Sequence, residues 1–248
     1  MKSSKKILAV ATVAIAAFCT QAIGQTILVN DNFDRADGSL VGTAPTPGPG
    51  GVWANHSGTL GDLLITSGQA VVQHGVPSED ANTLFADQSS GVLTANFDIN
   101  VSSGSVIGSA DVEYFASFRL DGTFNLRARL YVAAPSGSGD YTLGISTTSG
   151  GMETAFTNDF NFGSVVNVDL SFDFTTGLAS ATVGGNTINS IAPVLGETLN
   201  SFALRQSDST NNETILVDNL VVSVPEPSTY ALALGVLGLA IVLIRRRR

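Results

Sequence analysis

Three arginines fall within one predicted hairpin, Arg119, Arg127 and Arg129. A guanidinium is planar, permanently charged, and shaped to grip a carboxylate with two parallel hydrogen bonds. If Asp121-Gly122-Thr123 is a three-residue loop, Leu120 opposes Phe124, Phe118 opposes Leu126, Ala116 opposes Ala128 and Tyr114 opposes Leu130. Each apolar residue then meets another, which favours that register. The opposite face carries Glu113, Phe115, Ser117, Arg119, Asn125, Arg127, Arg129 and Tyr131. Arg129 would lie over the Phe115 ring, with Glu113 near Tyr131. As chemistry, Arg119, Arg127, Arg129 and Tyr131 form a contact patch for an anion or a sugar acid, Tyr131 supplying a stacking ring. As structure, they are a wet face whose arginines pair with neighbouring acids.

A second constellation precedes the hairpin. Asp31, Asp34 and Asp37 crowd three carboxylates before Gly38. Oxygen ligands at that density suit Ca²⁺, though the spacing is not that of an EF-hand loop. The favoured reading is an ordinary Asx-type turn before a strand. No other cofactor is expected. His56 is expected in a polar loop and His74 at a strand end, neither with metal or triad spacing. Asp169 and Asp173 share the wet face of one strand, but ~13 Å of strand separates them, too far for a glycosidase pair. Asp111-Val112-Glu113 lacks a third acid. The chain is therefore read as non-enzymatic.

Charge narrows the partners. Seven of the 12 basic residues lie at the two ends of the chain. Only Arg35, Arg119, Arg127, Arg129 and Arg205 remain to balance 21 acids, all but one of them between those ends. Nucleic acid is excluded, since its phosphates would be repelled.

The ends are targeting segments. Residues 1–24 have a basic start (Lys2, Lys5, Lys6), an apolar stretch from Ile7 to Phe18, and the small-residue exit Ala22-Ile23-Gly24. That is a secretory signal peptide, cut between Gly24 and Gln25 by signal peptidase after passage through the Sec machinery. The single cysteine, Cys19, lies inside it. The remainder therefore has no disulfide and no thiolate chemistry. At the other end Val-Pro-Glu-Pro-Ser (Val224 to Ser228) is followed by an uncharged run to Ile244 and by Arg245, Arg246, Arg247 and Arg248. Pro225 and Pro227 hold the segment extended. Residues 229–244 are predicted as a transmembrane helix of roughly 25 Å. The arginines then sit on the cytoplasmic side.

Between the ends, period two is pervasive and no helical period competes. The clearest strand is Val166 to Phe174. Others are Thr26 to Val29, Leu63 to Ser67, Gln69 to His74, Val92 to Val101, Val112 to Leu120, Phe124 to Ala133, Tyr141 to Ser146, Leu178 to Val183, Ser201 to Arg205 and Thr214 to Val222. Short strands separated by glycine turns predict one all-β domain over residues 25–223, an antiparallel β-sandwich, with the sorting segment at 224–248.

Two resemblances sharpen this. The motif, short apolar helix and arginine cluster resemble the PEP-CTERM sorting domain of Gram-negative bacteria, whose substrates are processed by exosortase, a membrane cysteine protease. The resemblance implies that Pro225, Glu226 and Pro227 are the recognition motif and Arg245 to Arg248 the retention cluster. It also implies a precursor held transiently at the inner membrane, then a cell-envelope or extracellular product associated with exopolysaccharide and biofilm. The segment Asp31-Asn32-Phe33-Asp34-Arg35-Ala36-Asp37-Gly38 with Trp53, and the closing Ile215 to Val222, resemble concanavalin-A-like (LamG-like) jelly rolls. That likeness implies that the first and last strands pair. The expected function is a surface or matrix protein; the alternative is a carbohydrate-binding module, and behind it a glycoside hydrolase.

Overall fold

Alternation decides the architecture. In the computed structural model, which describes residues 24–102, 112–209 and 212–226, all regular structure is strand. The first eight strands in chain order are β1 (Gln25–Asp31), β2 (Gly38–Ser39), β3 (Ala54–Gly58), β4 (Leu64–Thr66), β5 (Gln69–Gln73), β6 (Glu79–Gln88), β7 (Val92–Ser102) and β8 (Glu113–Arg119). The rest are β9 (Leu126–Ala133), β10 (Thr142–Ser146), β11 (Thr154–Ala155), β12 (Val165–Asp173), β13 (Leu178–Val183), β14 (Asn186–Asn189), β15 (Leu199–Gln206) and β16 (Thr214–Pro225). They form two antiparallel sheets. One runs β14-β13-β12-β7-β16-β5-β4-β2, with β1 on β16; the other runs β11-β10-β9-β8-β15-β6-β3. First and last strands do pair.

The core lies between the sheets. In β7 every second residue is buried, Leu93, Ala95, Phe97, Ile99 and Val101; β12 does the same with Val166, Val168, Leu170 and Phe172. Their register sets Val168 opposite Phe97 and Phe172 opposite Leu93, so the buried faces coincide. Phe202 of β15 bridges the layers, 5.7 Å from Phe97 and 5.8 Å from Phe118. Each such ring contributes about 1.5–3 kcal/mol by leaving water. Trp53 is fully buried in the same cluster.

The unit Ile27–Val224 holds this sandwich. Of the terminal unit only residues 24–26, 225 and 226 are described; there the Glu226 amide donates to the Gly24 carbonyl at 2.7 Å. The rest of the signal segment 1–24, the predicted helix 229–244, Pro227 and Arg245 to Arg248 lie outside the described residues. Among those described, no helix is long and apolar enough to cross a membrane.

Three expectations need correction. β6 is absent from the strands that alternation predicts, because its buried residues include Glu79, Asp80, Asn82 and Thr83, which break the pattern. His56 stands within strand β3, at a bulge between Asn55 and Ser57, rather than in a loop. The β8–β9 register also differs. Phe118 opposes Arg127, Ala116 opposes Leu130 and Tyr114 opposes Tyr131. The loop has four residues: Leu120 and Asn125 pair across it, and Phe124 hangs out 74 % exposed. The Thr123 amide and hydroxyl both donate to the Leu120 carbonyl, a turn that outcompetes the apolar pairing of Leu120 with Phe124. A bulge at Ala128 (φ +50°) and another beside Phe115 absorb the offset.

Candidate ligand-binding face and sorting tail

The sandwich interior takes one face of the seven-stranded sheet, and the register assigns what is on the other. Phe118 and Phe202 point inward together. Their neighbours Ser117 and Arg119, paired with Ala203 and Ser201, therefore point outward. Asn82 and Asp80 follow on β6, opposite Ala203 and Arg205. Tyr131 lies opposite Tyr114, and Ser146 opposite Arg129. A polar row thus crosses β10, β9, β8, β15 and β6 on the outer side.

This row is not a wet surface. Arg119 is 1 % exposed, Tyr131 2 % and Arg129 7 %. The Tyr114 ring organises it: the Arg129 guanidinium carbon lies 4.8 Å from its centroid and that of Arg205 4.5 Å. Tyr114 and Tyr131 meet edge to face at 5.9 Å. The Tyr131 hydroxyl shares a 3.0 Å hydrogen bond with Ser146 Oγ. Burial raises the Tyr114 pKa, so the ring stays neutral and keeps a quadrupole to offer a cation.

Most charges on this face have partners. Arg205 donates to Glu113 Oε2 and approaches Asp80 Oδ1 at 3.6 Å. Asp80 also accepts from Ser57 Oγ at 2.8 Å. Arg119 donates to the Thr123 carbonyl at 2.6 Å. Burial lowers its pKa, while Asp80 and Asp121 partly restore it. Asp121 in turn accepts from Asn82 Nδ2. Burial and then Arg119 lower the pKa of His56, which meets Phe124 edge to face at 5.2 Å. Arg129 is different. No hydrogen bond or ion pair reaches it among the described residues, and its Nε is buried without a partner, as are Ser117 Oγ and Arg119 Nε.

The sequence grouping of Arg119, Arg127, Arg129 and Tyr131 is thus partly dissolved. Arg119, Arg129 and Tyr131 do share the outer face. Arg127 does not join them: the Ala128 bulge turns it to Glu197 Oε1, at 2.9 Å, and to the Leu126 carbonyl. Arg129 covers Tyr114, not Phe115, and Glu113 serves Arg205 rather than Tyr131. Phe115 is buried in the core cluster. Arg205 and Tyr114 were missed as members of the face. The even count from Arg119 to Tyr131 was legible, but the bulges that bring in Tyr114 carry no sequence signal.

Asp31, Asp34 and Asp37 do not converge. Asp31 is fully buried and accepts from Trp53 Nε1, the Phe33 and Thr46 amides and the Arg35 guanidinium. Asp37 receives the Ser67 amide, and Asp34 is exposed. The segment is a turn of the Asx type, in which Asp31 Oδ1 accepts the Phe33 amide. Among the described residues no group of three or more acids, histidines or cysteines is placed to hold a metal. A shallow hollow of about 470 Å³ on the nine-stranded sheet, lined by Val165, Asn167, Asp169 and Thr182, offers no cation.

At the tail, β16 stays extended through the exposed Pro225, and β1 begins at Gln25, the residue next to the predicted cut. Gly24 lies so close to Glu226 that an added Cβ would stand 2.6 Å from the carboxyl carbon.

No curated protein matches the sequence. Among solved structures, a sialidase superposes with a TM-score of 0.50 at 13 % identity over 71 % of this chain, which spans 17 % of the sialidase's length. The Lotus tetragonolobus seed lectin is 14 % identical, with a TM-score of 0.48 over 82 % of this chain and 100 % of its own. Peanut lectin, solved with a 9mer peptide, gives 12 % and 0.48 over 76 % and 96 %. Identities this low speak of fold alone, a sandwich of two antiparallel sheets. The PEP-CTERM protein-sorting motif matches residues 223–248, so the polypeptide is a β-sandwich that ends in that sorting signal.

Proposed function

We propose that the protein is exported, held briefly in the inner membrane by residues 229–244, cut by exosortase at Pro225-Glu226-Pro227, and delivered to the cell envelope or the surrounding exopolysaccharide. The observation that carries this reading is the sorting motif at residues 223–248. The extended, exposed approach through Pro225 suits a protease groove. The role there is non-enzymatic. In support, the outer-face carboxylates of Asp80, Glu113 and Asp121 are each engaged by a neighbouring side chain. Cell fractionation of wild type beside Glu226→Ala tests this, with mass measurement of the C-terminus. Wild type should be shortened and released, and the variant intact and membrane-retained. A released wild type that still ends in Arg248 would overturn the reading.

A second reading concerns the body. The outer face of the seven-stranded sheet, with two tyrosines, three arginines and several hydroxyls, favours a carbohydrate-binding module. A glycan array on the purified chain tests it: retention of defined glycans supports it, and silence leaves a purely structural body.

A further inference from the structure

Five cationic or aromatic groups share the outer face, and one of them is electrostatically unfinished. Arg129 is 7 % exposed, sits against the Tyr114 ring at 4.8 Å, and has no carboxylate, carbonyl or hydroxyl partner among the described residues. A cation–π contact alone does not replace the hydration that a buried guanidinium gives up. Arg205 and Arg127, by contrast, each hold a glutamate. On the same face lie two further buried groups with unfilled capacity, Ser117 Oγ and Arg119 Nε. Unmade hydrogen bonds at buried sites are costly, and they cluster where a ligand completes them.

We infer that this face binds a carboxylated saccharide, with Arg129 gripping the carboxylate. The inference deepens the carbohydrate-binding reading and is independent of sorting. Three features select this ligand class. Among the described residues of this face one cation is unpaired, which fits one carboxylate per recognised unit. Two flanking atoms without a hydrogen bond, Ser117 Oγ and Asp80 Oδ1, supply a donor and an acceptor for sugar hydroxyls. The Tyr131 ring lies among them, edge to face with Tyr114, and an aromatic edge accepts the apolar side of a pyranose. The row from Arg129 on β9 to Asp80 on β6 crosses three inter-strand gaps, roughly 14 Å at ~4.8 Å each. That length suits a short oligosaccharide.

The test uses the full chain purified in detergent and titrated with three probes: tetragalacturonate, a sialylated trisaccharide, and the carboxyl-reduced tetramer. The readouts are calorimetry and the tyrosine difference spectrum. The expected result is binding of at least one acidic probe, with a tyrosine spectral change, and at least tenfold weaker binding of the reduced tetramer. The uronate and sialate arms separate a matrix polysaccharide from a sialylated glycan as the source. Arg129→Ala should lose at least tenfold, while Arg127→Ala, whose side chain serves Glu197, should bind as wild type. Should Arg129→Ala fail to fold, Arg129→Lys keeps the charge without the fork and should still weaken binding. The wild-type spectral change needs no variant. Equal binding of acidic and reduced tetramers would keep a lectin and overturn the inference. So would unchanged affinity in the Arg129 variants, or no response to either acidic probe at roughly 1 mM.

Discussion

Trp53 Nε1 donates a 2.8 Å hydrogen bond to Asp31 Oδ2, and both residues are fully buried. The bond ties β1 to the loop that leads into β3, across 22 positions of sequence. Asp31 also holds Arg35 through a two-pronged ion pair. Removing the carboxylate strands an indole N–H, two amides and a partly buried guanidinium. Asp31→Ala should therefore cost about 3–5 kcal/mol in urea unfolding. Asp31→Asn should cost less, because one acceptor oxygen remains. A chelator should leave the wild-type melting temperature unchanged, since these partners are protein groups, not a cation.

The two phenylalanines at the hairpin and its neighbour strand give a contrast. Phe202 bridges Phe97 and Phe118 in the core, so Phe202→Ala should cost about 3–5 kcal/mol. Phe124 sits in the loop at 74 % exposure, and Phe124→Ala should fall within about 0.5 kcal/mol of wild type. If Phe124 instead opposed Leu120 in the strand, as apolar matching suggests, its loss would be costly too. Paired denaturation curves distinguish the two arrangements.

That comparison shows where sequence reading holds and where it stops. β7, β12 and β16 were legible because one face of each is dry and the other wet, and a period of two records this directly. Asp31 and Trp53 were legible as a pair of landmarks though not as a bond. β6 was hidden, since its residues are buried on both faces and satisfied from a distance. Glu79, for one, accepts amides from Gly61, Asp62 and Leu63 and the side chain of Asn55. β8 and β9 hid their register for the same reason: with both faces buried, alternation cannot report a one-residue slip. The outer-face arginines were recognised by type and count. Their burial, and the departure of Arg127, follow from bulges that no spacing announces.

His74 supplies a pH dependence. It is fully buried; its Nδ1 accepts the Ser207 amide at 3.1 Å, and burial, then Arg205, lower its pKa from 6.5 to about 4. The unfolded chain takes up this proton first. The stability held by the neutral ring is complete above pH 6.5 and is lost as pH falls towards 4. The loss amounts to about 3 kcal/mol, at ~1.4 kcal/mol per unit of pKa. His74→Gln should flatten the stability profile across that window, measured by urea midpoints at successive pH values. An equally steep decline in the variant would place the proton uptake elsewhere.

Glu213 has the opposite sign and lies beside His74, with its Oε1 3.9 Å from His74 Nε2. Burial raises its pKa above 4.5, and its own backbone N–H offsets only part of that. A raised carboxyl holds its full stability below pH 4.5, where both states are protonated, and loses it as pH rises through the folded value. At neutral pH the folded chain must either keep that proton or bury an anion that no side-chain donor meets. Glutamine keeps the shape and removes the choice. Glu213→Gln should therefore be more stable than wild type at pH 8 and close to it at pH 4. The gain should be one to a few kcal/mol, on the order of the cost of a buried polar group without its partner. A variant destabilised at both pH values would mean that the carboxylate is solvated or paired in the folded chain, and that the His74–Glu213 contact works as an ion pair.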